Sequence, residues 1–86
     1  MVGRRVYPDE NIKIHDLEPG DYAKANDGTW WLRCPNGTWG RLRTTIHNIT
    51  EHEDGTITAS PSILCYSNKD IVGWHGYLEN GVWREV

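Results

Sequence analysis

Apolar and polar positions alternate along most of the chain. Four Asx-Gly pairs break the alternation: Asp27-Gly28, Asn36-Gly37, Asp54-Gly55 and Asn80-Gly81. A period of two marks half-buried strands, and Asn-Gly or Asp-Gly between such runs marks hairpin turns. No window of a dozen residues carries a helical period. The pattern predicts an all-β fold, a small antiparallel meander of about seven short strands closing into a barrel or a two-sheet sandwich. Residues 1–86 are expected to form a single domain, with residues 1–11 as an arm or an edge strand stopped at Pro8.

The stretch Trp30–Arg43 sets the register. A two-residue loop at Asn36-Gly37 would oppose Pro35 to Thr38 and ask Pro35 for a ladder N–H that it lacks. A three-residue loop, Pro35-Asn36-Gly37, avoids this, with glycine at the left-handed position of a G1 bulge. Cys34 then opposes Thr38. Trp30, Leu32, Cys34, Gly40 and Leu42 point to a buried side, and Trp31, Arg33, Trp39, Arg41 and Arg43 to the other.

The same rule is expected at the other three pairs. It opposes Tyr22 to Leu32 and sets Asp21 outward against Arg33. It places Ile49, Ile57 and Ala59 on one face and Asn48, Thr50, Thr58 and Ser60 on the other. In the last hairpin it faces Leu78 against Val82 and Trp74 against Val86. Tyr77 and Trp83 then stand together on the outer side, with His75 beside Glu85. Pro61 has to sit at an edge or a bend.

Composition sharpens this picture in three ways. There are five Trp and four Tyr but no Phe, so the core must lean on indoles and aliphatic side chains. The net charge of −3 argues against a general nucleic-acid binder, although residues 30–43 hold three Arg and no acid. Neither a secretory leader nor a membrane span is expected from the residues that follow Met1. The sequons at Asn36 and Asn48 therefore read as coincidence, and Cys34 and Cys65 as a reduced pair.

Four kinds of chemistry can be weighed. His15, Cys34, His47, His52, Cys65 and His75 are all suitable metal ligands, but none has the local spacing of structural zinc. A site from Cys34, Cys65 and His75 would need tertiary assembly. For catalysis, no Ser or Cys has a base beside it, and no glycine-rich loop opens a helix, so an enzyme is not expected. Arginines interleaved with indoles suit single-stranded nucleic acid in type. They suit a protein partner better, because Trp, Tyr and Arg are the residues enriched at interface hot spots. The expected binding residues are Trp31, Arg33, Trp39, Arg41, Arg43, Tyr77 and Trp83. The partner is expected to be another protein or a second copy of the chain.

The run Gly55-Thr56-Ile57-Thr58-Ala59-Ser60-Pro61-Ser62-Ile63-Leu64 and the closing Gly73-Trp74-His75-Gly76-Tyr77-Leu78-Glu79-Asn80-Gly81-Val82-Trp83 resemble a family of small phage and bacterial proteins of unknown function. Its pattern is a D-G-T turn, a P-S-I-L segment and a W-H-G-Y-L closing motif with an N-G turn. The likeness covers roughly the last two thirds of the chain. Many relatives carry additional cysteines, which suggest bound zinc. Carried over, the resemblance implies Cys34, Cys65 and His75 as zinc ligands, with His15 or His47 for a fourth. Asn36-Gly37 departs from it, standing where a further cysteine would be. The resemblance also implies a phage gene product acting in a bacterial host's cytoplasm or on a virion. It supplies no activity; taken with the Trp/Arg face and the absence of a catalytic set, it leads to the expectation of a non-enzymatic module docking on a virion or host protein. The alternative is a zinc-stabilised module with a nucleic-acid-binding or regulatory role.

Overall fold

A computed structural model describes residues 1–42, 46–66 and 72–86. Among these, eight strands form one curled sheet, a half-barrel. They are β1 (Arg4–Val6), β2 (Asp21–Lys24), β3 (Trp30–Arg33), β4 (Trp39–Leu42), β5 (Asn48–Glu51), β6 (Ile57–Tyr66), β7 (Val72–Glu79) and β8 (Val82–Glu85). A single 3-10 turn, Ile14–Asp16, precedes β2. The expected all-β domain is what forms.

The spine is β6. Its first half pairs with β5, from Glu51↔Ile57 to Asn48↔Ser60, and its far end meets β4 at Trp39↔Tyr66. Its other edge holds β7. That ladder shifts register between Ala59 and Ile63, the interval containing Pro61, which has no N–H to contribute.

The first residues close the curl. β1 runs parallel to β2, with Arg4 opposite Asp21. Just before it, Val2 bridges Val82, and the N–H of Trp83 donates to Met1 O at 2.7 Å. One short segment thus joins both rims of the sheet. The parallel pairing is what the meander pattern did not anticipate, since it links residues with no shared turn. It also overturns the expected Asp21–Arg33 opposition of side chains. Asp21 is buried and receives Arg4 Nη2 at 2.9 Å and the Glu18 backbone N–H at 2.9 Å.

Three of the four loops take the expected three-residue form. Cys34 N–H donates to Thr38 O, Ala25 N–H to Thr29 O, and His52 N–H to Thr56 O, each at 2.8 Å. Gly28, Gly37 and Gly55 sit at φ of 87°, 88° and 90°. Each loop reads Asx-Gly-Thr, and each Asx side chain accepts from the threonine two residues on. Asp54 Oδ1 takes the Thr56 N–H at 3.0 Å and its hydroxyl at 2.6 Å. Asn36 Oδ1 takes the Thr38 hydroxyl at 2.7 Å, and Asp27 Oδ1 takes the Thr29 N–H at 2.9 Å.

The fourth loop does not follow, and the expectation for it was wrong. Glu79 opposes Val82 and Leu78 opposes Trp83, so Asn80-Gly81 is a two-residue turn. Both central residues are left-handed, at φ of 49° and 76°, as a type I′ turn requires. The reason lies at position 82. Valine has no hydroxyl to bond back to Asn80, and the one-residue slip buries the indole of Trp83 in place of the smaller Val82. Trp83 therefore faces the core rather than the outer side, 2% exposed, and its Nε1–H donates to Gly20 O at 2.9 Å. It meets Trp74 edge to face, with centroids 5.3 Å apart. Around this pair pack Tyr22, Trp30, Leu32, Leu42, Ile57, Ile63 and Leu78.

Hydrogen bonds from the Thr56 side chain hold the Asp54 carboxyl below its ordinary range, and the Thr29 backbone N–H does the same for Asp27. A depressed folded-state pKa gives stability that is present above the unfolded value and lost as pH falls through the folded one. Tm should therefore drop as pH is lowered through about 4 and below. An Asp27→Asn, Asp54→Asn variant should show a shallower drop in a pH series of melts. In the closing segment, a Cβ on Gly3 would lie 2.8 Å from Gly20 O and 3.0 Å from Gly81 O. Gly3→Ala should cost about 1–3 kcal/mol in urea unfolding, because backbone on both sides must give way.

Candidate functional site

The β3–β4 hairpin builds the outer face. Trp31 opposes Arg41, and Arg33 opposes Trp39, as the register required. The Arg33 guanidinium lies 5.0 Å from the Trp39 ring centroid, and that of Arg41 lies 5.6 Å from the Trp31 centroid. Such stacks contribute about 0.5–1 kcal/mol at exposed sites.

The two arginines do different work. Arg33 Nε donates to Gly37 O at 2.7 Å and its Nη1 to Leu17 O at 2.8 Å. It braces the hairpin loop against the segment before β2 and has little left to offer a partner. Arg41 is exposed and makes no ion pair among the described residues. Arg43, expected on the same face, lies outside the described residues.

Beside this face is a slot. Among the described residues the β4–β6 ladder has one register pair, Trp39↔Tyr66, and beside it lies a gap lined by both strands. The gap is a cavity of about 350 Å³ walled by Trp31, Trp39, Arg41, Leu64 and Tyr66, with Ile46 and His47 across it. Gly40 also lines it. A Cβ there would lie 2.8 Å from Cys65 Sγ, so only glycine fits. A second depression of about 430 Å³, lined by Ile14, His15, Trp31 and Trp39, shares the two indoles. Among the described residues no carboxylate lines either.

Leu64, Tyr66 and Ile46 were not singled out from the sequence, and His47 was weighed only as a metal ligand. The outward direction of Leu64 and Tyr66 was legible, since they alternate with buried Ile63 and Cys65. That β6 would lie beside β4 was not, because no local turn joins the two.

The other expected binding residues lie elsewhere. Tyr77 is on β7, opposite Arg84, whose guanidinium lies 5.2 Å from its ring. It borders a separate depression with Pro61 and Glu79. Trp83 is in the core, as described above.

The expected metal ligands do not assemble. Cys34 and Cys65 do meet, but as a disulfide, with Cα atoms 6.5 Å apart across 31 residues of sequence. This overturns the reading of a reduced pair and leaves no thiolate for zinc. His75 faces outward opposite Leu64, with Nε2 2.9 Å from Ser62 Oγ, rather than beside Glu85. Among the described residues no group of three or more His, Cys, Asp or Glu side chains is placed to hold a metal. The residues present therefore do not fit the zinc site that the resemblance implied.

No protein-family model, curated protein or solved structure matches the chain. Among the described residues, no helix is long and apolar enough to cross a membrane.

The disulfide ties the end of β3 to the far end of β6, beneath the slot. Closing a loop of 31 residues is worth about 4 kcal/mol in the chain-entropy account. Cys34→Ser with Cys65→Ser should lower unfolding stability by about that amount. Thiol titration of the unreduced, unfolded protein should find no free thiol; finding both cysteines free would contradict the bond.

Proposed function

We propose that this chain is a non-enzymatic docking module that holds a protein partner against the outer face of β3, β4 and β6. The observation that carries this reading is the face itself. Two indole–guanidinium stacks stand beside exposed Tyr66 and Leu64 and flank an open slot that no carboxylate of the described residues lines. Trp, Tyr and Arg grouped around a cavity are the residues that dominate interface energetics. The phage-like sequence pattern supports a partner that is a virion component or a host protein. The buried disulfide favours the virion over a reducing cytoplasm, since such bonds persist in oxidising settings.

The test is a Trp39→Ala, Arg41→Glu variant. Neither side chain belongs to the buried core, so the fold should persist, with far-UV circular dichroism unchanged. Recovery of partner on the tagged protein from phage-infected cells should fall at least about tenfold, as the loss of a hot-spot pair would give. Undiminished recovery would end this reading.

A further inference from the structure

The slot between β4 and β6 has the shape and charge for one kind of occupant. We infer that it takes a linear peptide segment in which an aromatic or large apolar side chain is flanked by carboxylates. This rests on the docking reading and names its ligand chemistry.

Size comes first. At about 350 Å³ the cavity lies at the small end of ligand sites, room for one large side chain rather than a run of several. Its walls are Trp31, Trp39, Leu64, Tyr66 and Ile46, which suit an apolar insert.

Charge comes second. The chain carries twelve acidic and nine basic residues, yet among the described residues no acid lines the slot or the depression beside it; Asp16 stands 3.5 Å from His15 Nε2. The titratable groups that line them are Arg41, His47, His15 and Tyr66.

Unmet bonding comes third. Arg41 has its stack on Trp31 but no ion pair among the described residues. The buried Nδ1 of His47 has no hydrogen-bond partner among the described residues. Asp27, on the β2–β3 loop, feels the charge of Arg41 only weakly, after its bonds from Thr29. An incoming carboxylate would give Arg41 the charge-assisted hydrogen bonds it lacks.

A nucleic acid would present stacking bases too, but it needs a track of cations. Among the described residues the slot has one arginine, in a chain of net charge −3. A peptide with one or two carboxylates asks for no more than is there.

The experiment is fluorescence polarisation with the full chain. The probe is a fluorescein-labelled pentapeptide with central tryptophan and Asp/Glu flanks. It is compared with the same peptide carrying lysine flanks and with single-stranded oligothymidylate. The acidic probe should bind saturably and at least about tenfold more tightly than the lysine probe. Arg41→Ala, at an exposed position, should weaken it about tenfold with an unchanged melt. Leu64→Glu, which places a like charge in the slot wall, should abolish binding.

Equal binding of the two peptides, no saturable binding, or indifference to both substitutions would overturn the inference. Preference for oligothymidylate would overturn it in favour of nucleic acid. If the Trp39→Ala, Arg41→Glu variant loses its partner while the acidic probe never binds, the docking face stands and only this ligand chemistry fails.

Discussion

The pairing of Cys34 with Thr38 is the constraint on which the rest depends. Pro35 has no N–H for the ladder, so the loop must take three residues, and the Asn36 side chain locks it by accepting from Thr38. A slip of one residue would turn every side chain of β3 and β4 over. In the register adopted, Trp30, Leu32 and Leu42 enter the core and Trp31, Trp39 and Arg41 leave it. The same register points Cys34 at Cys65 and brings Gly40 against the disulfide. Slot, floor and indole walls are thus consequences of one turn.

A chain without phenylalanine has to close its core with side chains that are harder to bury. Trp30 is the clearest case. Arg5 lies 4.8 Å above its ring and 4.7 Å from that of Tyr7, and Lys24 lies 5.9 Å from Trp30. Both cations bond Glu51 on β5 at 3.1 Å, and Arg5 also reaches Gly55 O. Cationic side chains therefore roof an indole that the sheet alone leaves open, and they fasten β5 to the first two strands. Arg4, Arg5 and Arg33 are all committed to the fold in this way. Arg41 is not, and that separates it from them.

How much was legible from sequence follows from the range of each interaction. Hairpin registers depend on neighbours in the chain, and three were readable down to the cross-strand pair. The fourth was misread because the threonine after each Asx-Gly pair was not weighed. Thr29, Thr38 and Thr56 lock a three-residue loop, and Val82 cannot. That one residue moved Trp83 from the candidate face into the core. Everything that joins distant strands was beyond local pattern. The Cys34–Cys65 bond, the parallel docking of β1 and the approach of β4 to β6 each depend on tertiary closure. The indoles and arginines of the hairpin could therefore be placed on one side, while the slot beside them, made by two strands that share no turn, could not.

The seam made by the first three residues bears on how the chain is made. Met1 and its partner Trp83 stand 82 positions apart in the chain. Each hairpin can zip locally, but this seam must wait until β8 has been made. Until then Val82 and Trp83 have nothing to bridge to, and the opening residues remain available to competing strand edges. A chain that has not yet added β8 would thus expose two unmated rims, and the window for misassociation closes only when Val82 and Trp83 dock.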